Sequence, residues 1–175
     1  SVHFAGQKKE TTVSKKGEWM VRLDELKASA SPLTLTVKGK NEIKLENVLV
    51  GEVWICSGQS NMEWRVQQCA NPKEEIANAN WPQIRLFDVP GHTIHPIPQR
   101  QGNGKWQVCS PSTIAKFSAT GYYFGRRLHN ELNVPIGLVG SNWGGTRIEP
   151  WTTLDGFKSV PELSEQAKNV AAYTK

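Results

Sequence analysis

The hydrophobic period of this chain changes once, at Val48, and that change constrains the fold more than any other feature. Before it, Trp19, Val21 and Leu23, then Leu33, Leu35 and Val37, then Ile43 and Leu45 alternate with polar residues, punctuated by Gly17, Pro32 and Gly39. A period of two predicts half-buried antiparallel strands. From Val48 the run VLVGEVWIC is almost continuously apolar, the pattern of a strand buried on both faces of a parallel sheet. IRLFDV (Ile84 to Val89) and IGLVG (Ile136 to Gly140) show the same pattern. Between them, Phe117, Phe124, Leu128 and Leu132 keep helical spacing, and Asn133 with Pro135 supplies a stop. Strand, helix and strand in that order predict a parallel α/β layer.

Residues 1–47 hold too few strands for independent stability, so they read as the C-terminal part of a β-rich, sandwich-like domain. Residues 48–175 read as the N-terminal part of an α/β domain with three parallel strands. The stretch from Pro90 to Pro111, rich in Pro, Gly, Gln and His, has no period and reads as a long surface excursion. Near the end, Pro161 suits a first helical turn, and Leu163, Ala167, Val170 and Ala171 share one helical face.

Composition removes several classes. Across 175 residues, 38% are hydrophobic and 21% charged, which excludes collagen, coiled coil and wholesale disorder. Up to Asn47 there are nine basic and six acidic residues, and beyond it twelve and ten, so neither part carries the dense basic run of a nucleic-acid binder. The pairs Lys8-Lys9, Lys15-Lys16 and Arg126-Arg127 read as solvated faces. No stretch reaches the roughly 18 to 20 apolar residues that span a bilayer, and SVHFAGQKK lacks the apolar core of a signal peptide. The chain opens without a Met and reads as a mature or excised segment. Its three cysteines, Cys56, Cys69 and Cys109, have no zinc-finger or C-x-x-C spacing.

Two segments carry chemistry, and each follows an apolar strand. Ser57-Gly58-Gln59-Ser60-Asn61-Met62 closes the first, where ligands sit in open α/β sheets. A serine on a tight glycine turn ahead of a helix has the geometry of a nucleophile, or of a Ser/Asn turn that caps the helix. Ser141-Asn142-Trp143-Gly144-Gly145-Thr146-Arg147-Ile148-Glu149-Pro150-Trp151 follows the third. Paired glycines admit a close ligand, Arg147 can fork onto a carboxylate, and Trp143 and Trp151 offer flat faces for stacking on sugars. The same residues also describe a glycine turn with two core tryptophans.

Together the segments are recognisable. GEVWICSGQSNMEW (Gly51 to Trp64), FSATGYYFGRRL (Phe117 to Leu128) and PIGLVGSNWGGTRIEPW (Pro135 to Trp151) resemble the sialate O-acetylesterase family, a branch of the SGNH hydrolases. The likeness runs from about Trp19 onward. It implies a three-layer, flavodoxin-like parallel sheet, present in part, and a serine esterase removing O-acetyl groups from carbohydrate without metal or organic cofactor. Position by position it implies Ser60 as nucleophile and Gly145 or Gly144 as an oxyanion donor beside the Ser60 N–H. Gln59, Asn61, Trp143, Arg147, Glu149 and Trp151 would meet an O-acetylated sugar, although Arg147 and Glu149 could instead pair and hold their loop. Gly121 would permit close helix packing, and Glu63 would favour a helix N-terminus.

The family's W-Y-Q-G-E motif and its Asp-x-x-His, which supplies the base and its orienting acid, are not in the sequence. Candidate substitutes are His3, His92, His95 and His129, with Asp88 and His92 nearest to an acid-base pair, and His129 expected at the surface. A missing C-terminal part or a partner chain supplying Asp and His is the expected remedy. A non-catalytic carbohydrate-binding chain, or an inactive fragment lacking that base, is the alternative, and an acetylxylan esterase a second. His92 and His95 on a Pro-rich loop do not make a metal site. The resemblance implies a secreted, periplasmic or lysosomal setting, and neither nucleic acid nor membrane as partner.

Overall fold

A computed structural model describes residues 1–92 and 102–172. Its first sheet contains β1 (Val2–Phe4), β2 (Gln7–Lys9), β3 (Ser29–Lys38) and β4 (Glu42–Val50), in the order β2-β1-β3-β4 with every pair antiparallel. Then follow β5 (Glu52–Gly58), the one-turn helix α1 (Ser60–Glu63), α2 (Pro72–Ala77), β6 (Trp81–Asp88) and β7 (Trp106–Cys109). The chain continues through α3 (Ala119–Leu132), β8 (Ile136–Asn142), α4 (Leu154–Lys158) and α5 (Ser164–Ala172). The second sheet has the order β5-β8-β6-β7: β8 pairs parallel with both β5 and β6, and β7 closes the far edge antiparallel. An antiparallel sheet followed by a mostly parallel one with flanking helices is the mixed α/β class that the change of period predicts.

The core lies against the second sheet. Ile84, Ile136, Leu138, Phe117, Tyr122 and Val66 are all essentially sealed from solvent. α3 lies close against the second sheet because Gly121 and Gly125 lack side chains: a Cβ at Gly121 would stand 2.8 Å from Cys56 Sγ on β5, and one at Gly125 2.7 Å from a Leu138 methyl on β8. Gly121 thus does permit close helix packing. Ser118 caps the helix by accepting the Gly121 N–H at 3.1 Å, and Asn133 ends it in the left-handed conformation.

Several expectations need correction. Trp19, Val21 and Leu23 form no strand, and Trp19 is 49% exposed. The Gln7 side chain holds that segment instead, accepting the Asp24 N–H at 2.8 Å and donating to the Asp24 carbonyl at 3.2 Å, while Lys9 pairs with the Asp24 carboxylate at 2.6 Å. Ile43 and Leu45 lie on a strand as expected but are exposed, on the edge strand β4. The run VLVGEVWIC is two strands, broken at Gly51, where the chain passes against Pro135 and Glu52 N–H donates to the Pro135 carbonyl at 3.0 Å. Nor is β5 buried on both faces: it is an edge strand in this chain, with Val53 64% and Ile55 73% exposed.

The 117–132 segment is helical, but its inward face is Ala119, Tyr122 and Gly125, whereas Phe124 and Leu132 are exposed. Small residues win that face because they allow the backbone to approach the sheet. Pro161 begins a 3-10 turn (Pro161–Leu163), and α5 starts only at Ser164. The expected excursion from Pro90 contains β7, and its middle, with His95, lies outside the described residues.

Arg126 is no solvated cation. It meets Glu75 at 3.0 Å and the Tyr122 hydroxyl at 3.4 Å, and lies over the Tyr122 and Tyr123 rings, whereas Arg127 is exposed and pairs along the helix with Glu131 at 2.9 Å. His129 is half-buried, with Nδ1 2.8 Å from the Val134 carbonyl and its ring edge-on to Trp81.

Two measurements follow from this packing. A methyl group at Gly51 would overlap the Pro135 carbonyl, which is backbone and has little room to move. Gly51→Ala should therefore lower stability by about 1–3 kcal/mol, read as a lower midpoint in urea unfolding. Cys109 is fully buried and its thiol is pushed up to about 12 by desolvation, and burial followed by the nearby Asp88 charge raises Cys56 as well. At pH 8 both remain thiols, so a thiol reagent should label the folded chain only at Cys69, which is half-buried, and all three cysteines in denaturant.

Candidate active site

In the parallel sheet, Gly58, Asn142 and Asp88 stand at the carboxyl ends of three adjacent strands, with Gly58 opposite Asn142 and Asp88 opposite Gly140. The chain leaves β5 through Gly58 at φ +150°, a backbone state that favours glycine. Gln59 precedes α1, and its carbonyl accepts the N–H groups of Met62 at 3.0 Å and Glu63 at 2.9 Å. Ser60 is thus the first residue of a one-turn helix and faces solvent. Among the described residues its hydroxyl has no hydrogen-bond partner.

The loop after β8 is locked onto this turn. Trp143 N–H donates to the Gly58 carbonyl at 3.0 Å, and the Gln59 side-chain amide donates to the Thr146 carbonyl. Thr146 Oγ1 donates to the Trp143 carbonyl at 2.8 Å and accepts the Trp151 indole N–H at 2.9 Å. Gly144 lies against Ser60, since a Cβ there would stand 3.3 Å from Ser60 Oγ and 2.6 Å from Glu63 Oε2. Gly145 turns the chain at φ +77° in open space.

The two segments singled out in the sequence therefore meet, but their residues do different things. Gln59 and Trp151 tie the loop together. The Asn61 carbonyl accepts the Thr120 hydroxyl at 2.9 Å, which ties α1 to α3. Arg147 and Glu149 are exposed and form no ion pair with each other among the described residues, so the loop is not held by that pair. Trp143 stacks on His92, with ring centroids 4.7 Å apart and planes 14° apart.

Glu63 is the residue that sequence reasoning undervalued. Its Oε2 accepts the Gly144 N–H at 2.5 Å, and its Oε1 lies 3.4 Å from His92 Nε2. The Gly144 N–H, a candidate oxyanion donor, is thus occupied in this geometry. His92 reaches the site through Glu63 and Trp143, and among the described residues it makes no hydrogen bond to Ser60. The sequence signal for Glu63 is its spacing three residues after Ser60, which returns its side chain to the same face of a helix. Thr120 and Thr146 left no signal beyond their place in the recognised segments.

Ser60 separates two clefts. One, of about 320 Å3, is bounded by Ser60, Glu63, Trp64, Arg65, Gln68 and Gly144; the other, of about 380 Å3, by Ser57, Gln59, Asn61, Met62 and Thr120. Either gives a ligand access to the hydroxyl, which can attack an electrophilic carbon presented there. Removing the Glu63 carboxylate frees the Gly144 amide, so Glu63→Ala should speed hydrogen exchange at that amide by roughly tenfold or more, the worth of one bond to a charged acceptor. Exchange at the Leu138 amide in the core serves as the control.

No family model matches the chain. It is 33% identical to human sialate O-acetylesterase over 171 residues, which cover 87% of this chain and 32% of that protein. The mouse sialate O-acetylesterase is 33% identical over 182 residues, covering 91% and 32%. Among solved structures, a carbohydrate acetylesterase from Xanthomonas citri superposes with a TM-score of 0.86 at 36% identity, covering 97% of this chain and 38% of that one. The chain is a homologue of the sialate O-acetylesterases, spanning about a third of the length of these curated relatives.

Proposed function

We propose that Ser60 is the nucleophile of a carbohydrate O-acetylesterase that removes acetyl groups from a sugar such as sialic acid. The observation that carries this reading is the exposed Ser60 hydroxyl at the head of α1, without a partner among the described residues and pressed against the Gly144 turn at the carboxyl edge of the sheet. Homology to sialate O-acetylesterases and to a carbohydrate acetylesterase supports it.

Ser60 Oγ attacks the acetyl carbonyl carbon while its proton passes to a base. Collapse of the tetrahedral intermediate breaks the bond to the sugar oxygen, which takes the proton back, and leaves an acetyl ester on Ser60. Water then attacks that ester and acetate leaves. The oxyanion is met by the Ser60 N–H and by Gly145 or Gly144, the latter once Glu63 releases it. Acyl transfer of this kind calls for neither metal nor organic cofactor. The base is the histidine of an Asp-x-x-His supplied by further sequence or by a partner chain. A secreted, periplasmic or lysosomal setting belongs to the same reading.

The test is acetate release from O-acetylated sialic acid and acetylated xylan, with Ser60→Ala beside the parent, each in a protein that also carries the Asp-x-x-His base. Loss of release by roughly a thousandfold or more in the variant supports the reading, and release that survives it excludes Ser60 as nucleophile. A second reading, a non-catalytic sugar binder, draws on one observation, the Glu63 carboxylate sitting on the Gly144 N–H. Calorimetric binding of acetylated sugar with no acetate released would select it.

A further inference from the structure

Glu63 and His92 form a pair beside Ser60 to which acyl transfer assigns no step. Glu63 Oε2 accepts the Gly144 N–H at 2.5 Å, and Oε1 of the same carboxylate lies 3.4 Å from His92 Nε2. His92 in turn lies on Trp143, the residue before Gly144, with ring centroids 4.7 Å apart and planes 14° apart. Carboxylate, imidazole and indole thus form one closed chain of contacts around the Gly144 N–H. A separation of 3.4 Å exceeds that of a good hydrogen bond, so the attraction of His92 for Glu63 depends on charge and is full only when the imidazole carries its second proton. An imidazolium is also drawn to the indole face beneath it.

We propose that His92 is a positioning residue: protonated, it holds the Glu63 carboxylate across the Gly144 N–H and closes that amide to a ligand, and as pH rises through the imidazole range it lets the amide open. The oxyanion role of Gly144 rests on the esterase reading above, whereas the clasp is a property of the resting protein. Glu63 has a second seat when released. Arg65 lines the same cleft of about 320 Å3 and forms no ion pair among the described residues, so it offers the carboxylate another cation. The remaining charged group near the pair is Asp88, at the end of β6 and four residues before His92. Burial raises the Asp88 carboxyl above the usual carboxylate range, and the Arg65 charge opposes that shift. Histidine is the side chain that ordinarily changes charge between about pH 5 and 8, and substitution at His92 separates its titration from that of Asp88.

The experiment is site-resolved hydrogen exchange at the Gly144 amide of the intact protein without ligand. Each rate is divided by that of an unstructured amide at the same pH, and the Leu138 amide in the core serves as the control. From about pH 5.5 to about pH 8.5 the protection of Gly144 should fall by roughly two- to fivefold, the worth of a partly exposed ion pair, with its midpoint at that of the His92 ring protons followed by NMR. His92→Phe keeps a flat ring for Trp143 without a charge, and should hold the low value at every pH. His92→Arg keeps a flat group with a permanent charge, and should hold the high value. Glu63→Gln retains an acceptor oxygen but no charge, and should likewise lose the pH dependence.

A parent profile that stays flat through the His92 titration overturns the proposal, and so does a pH dependence that persists in His92→Phe. None of these measurements involves turnover. A flat profile therefore leaves the Ser60 reading standing, and acetate release that survives Ser60→Ala removes the esterase reading while exchange still decides whether His92 governs the Gly144 amide.

Discussion

The site depends on one backbone hydrogen bond, from Trp143 N–H to the Gly58 carbonyl at 3.0 Å. It carries the pairing of β5 with β8 one step past the last matched residues, Gly58 and Asn142, so that two loops leave the sheet already joined. The Gly144 turn beside Ser60 hangs from that junction, and the Gln59 side chain and Glu63 add further ties. Gly144 can touch the serine only because Trp143 is held there, and Glu63 can reach the Gly144 N–H only because α1 starts immediately after the junction. The glycines serve proximity more than flexibility: at Gly144 any side chain would meet Ser60 and Glu63.

Much of this was legible in the sequence, for a physical reason. Continuous apolar runs reported the parallel strands: in β6 and β8 they carry the buried Ile84, Leu86, Ile136 and Leu138, whereas the run in β5 stands largely exposed at the sheet edge. The two glycine-bearing segments meet because each follows one of two adjacent parallel strands. What stayed hidden was pairing by side chain. The alternation at Trp19, Val21 and Leu23 mimicked a strand, yet Gln7 satisfied Asp24 without any ladder. Likewise VLVGEVWIC has the composition of one strand, and only the approach of Pro135 to Gly51 divides it. Hydropathy reports which residues avoid water and carries no record of which backbone stands in the way.

The same distinction explains the misjudged helix face. Phe124 and Leu132 are the apolar residues that a periodicity search weights most, yet α3 turns Ala119, Tyr122 and Gly125 toward the sheet. Close approach of helix and strand maximises contact per residue, and small side chains make it possible. Arg126 on the same helix shows the complement: a cation beside two tyrosine rings and Glu75 is satisfied where hydropathy alone would leave it in water.

The position of β8 has a consequence for how the protein acquires its shape. β5 and β6 both pair with β8 and not with each other, and β8 is the last of the three to be synthesised. As the chain emerges from the ribosome, its first two parallel strands must wait about fifty residues or more for the strand that joins them, and such non-local pairing is slow to form. During that interval the apolar edges of both are open, the condition under which nascent sheets associate wrongly. The antiparallel hairpins ahead of them face no such delay. Assembly of the carboxyl edge is thus set by the arrival of one late strand, and the Ser60 turn is synthesised well before the loop that gives it a shape.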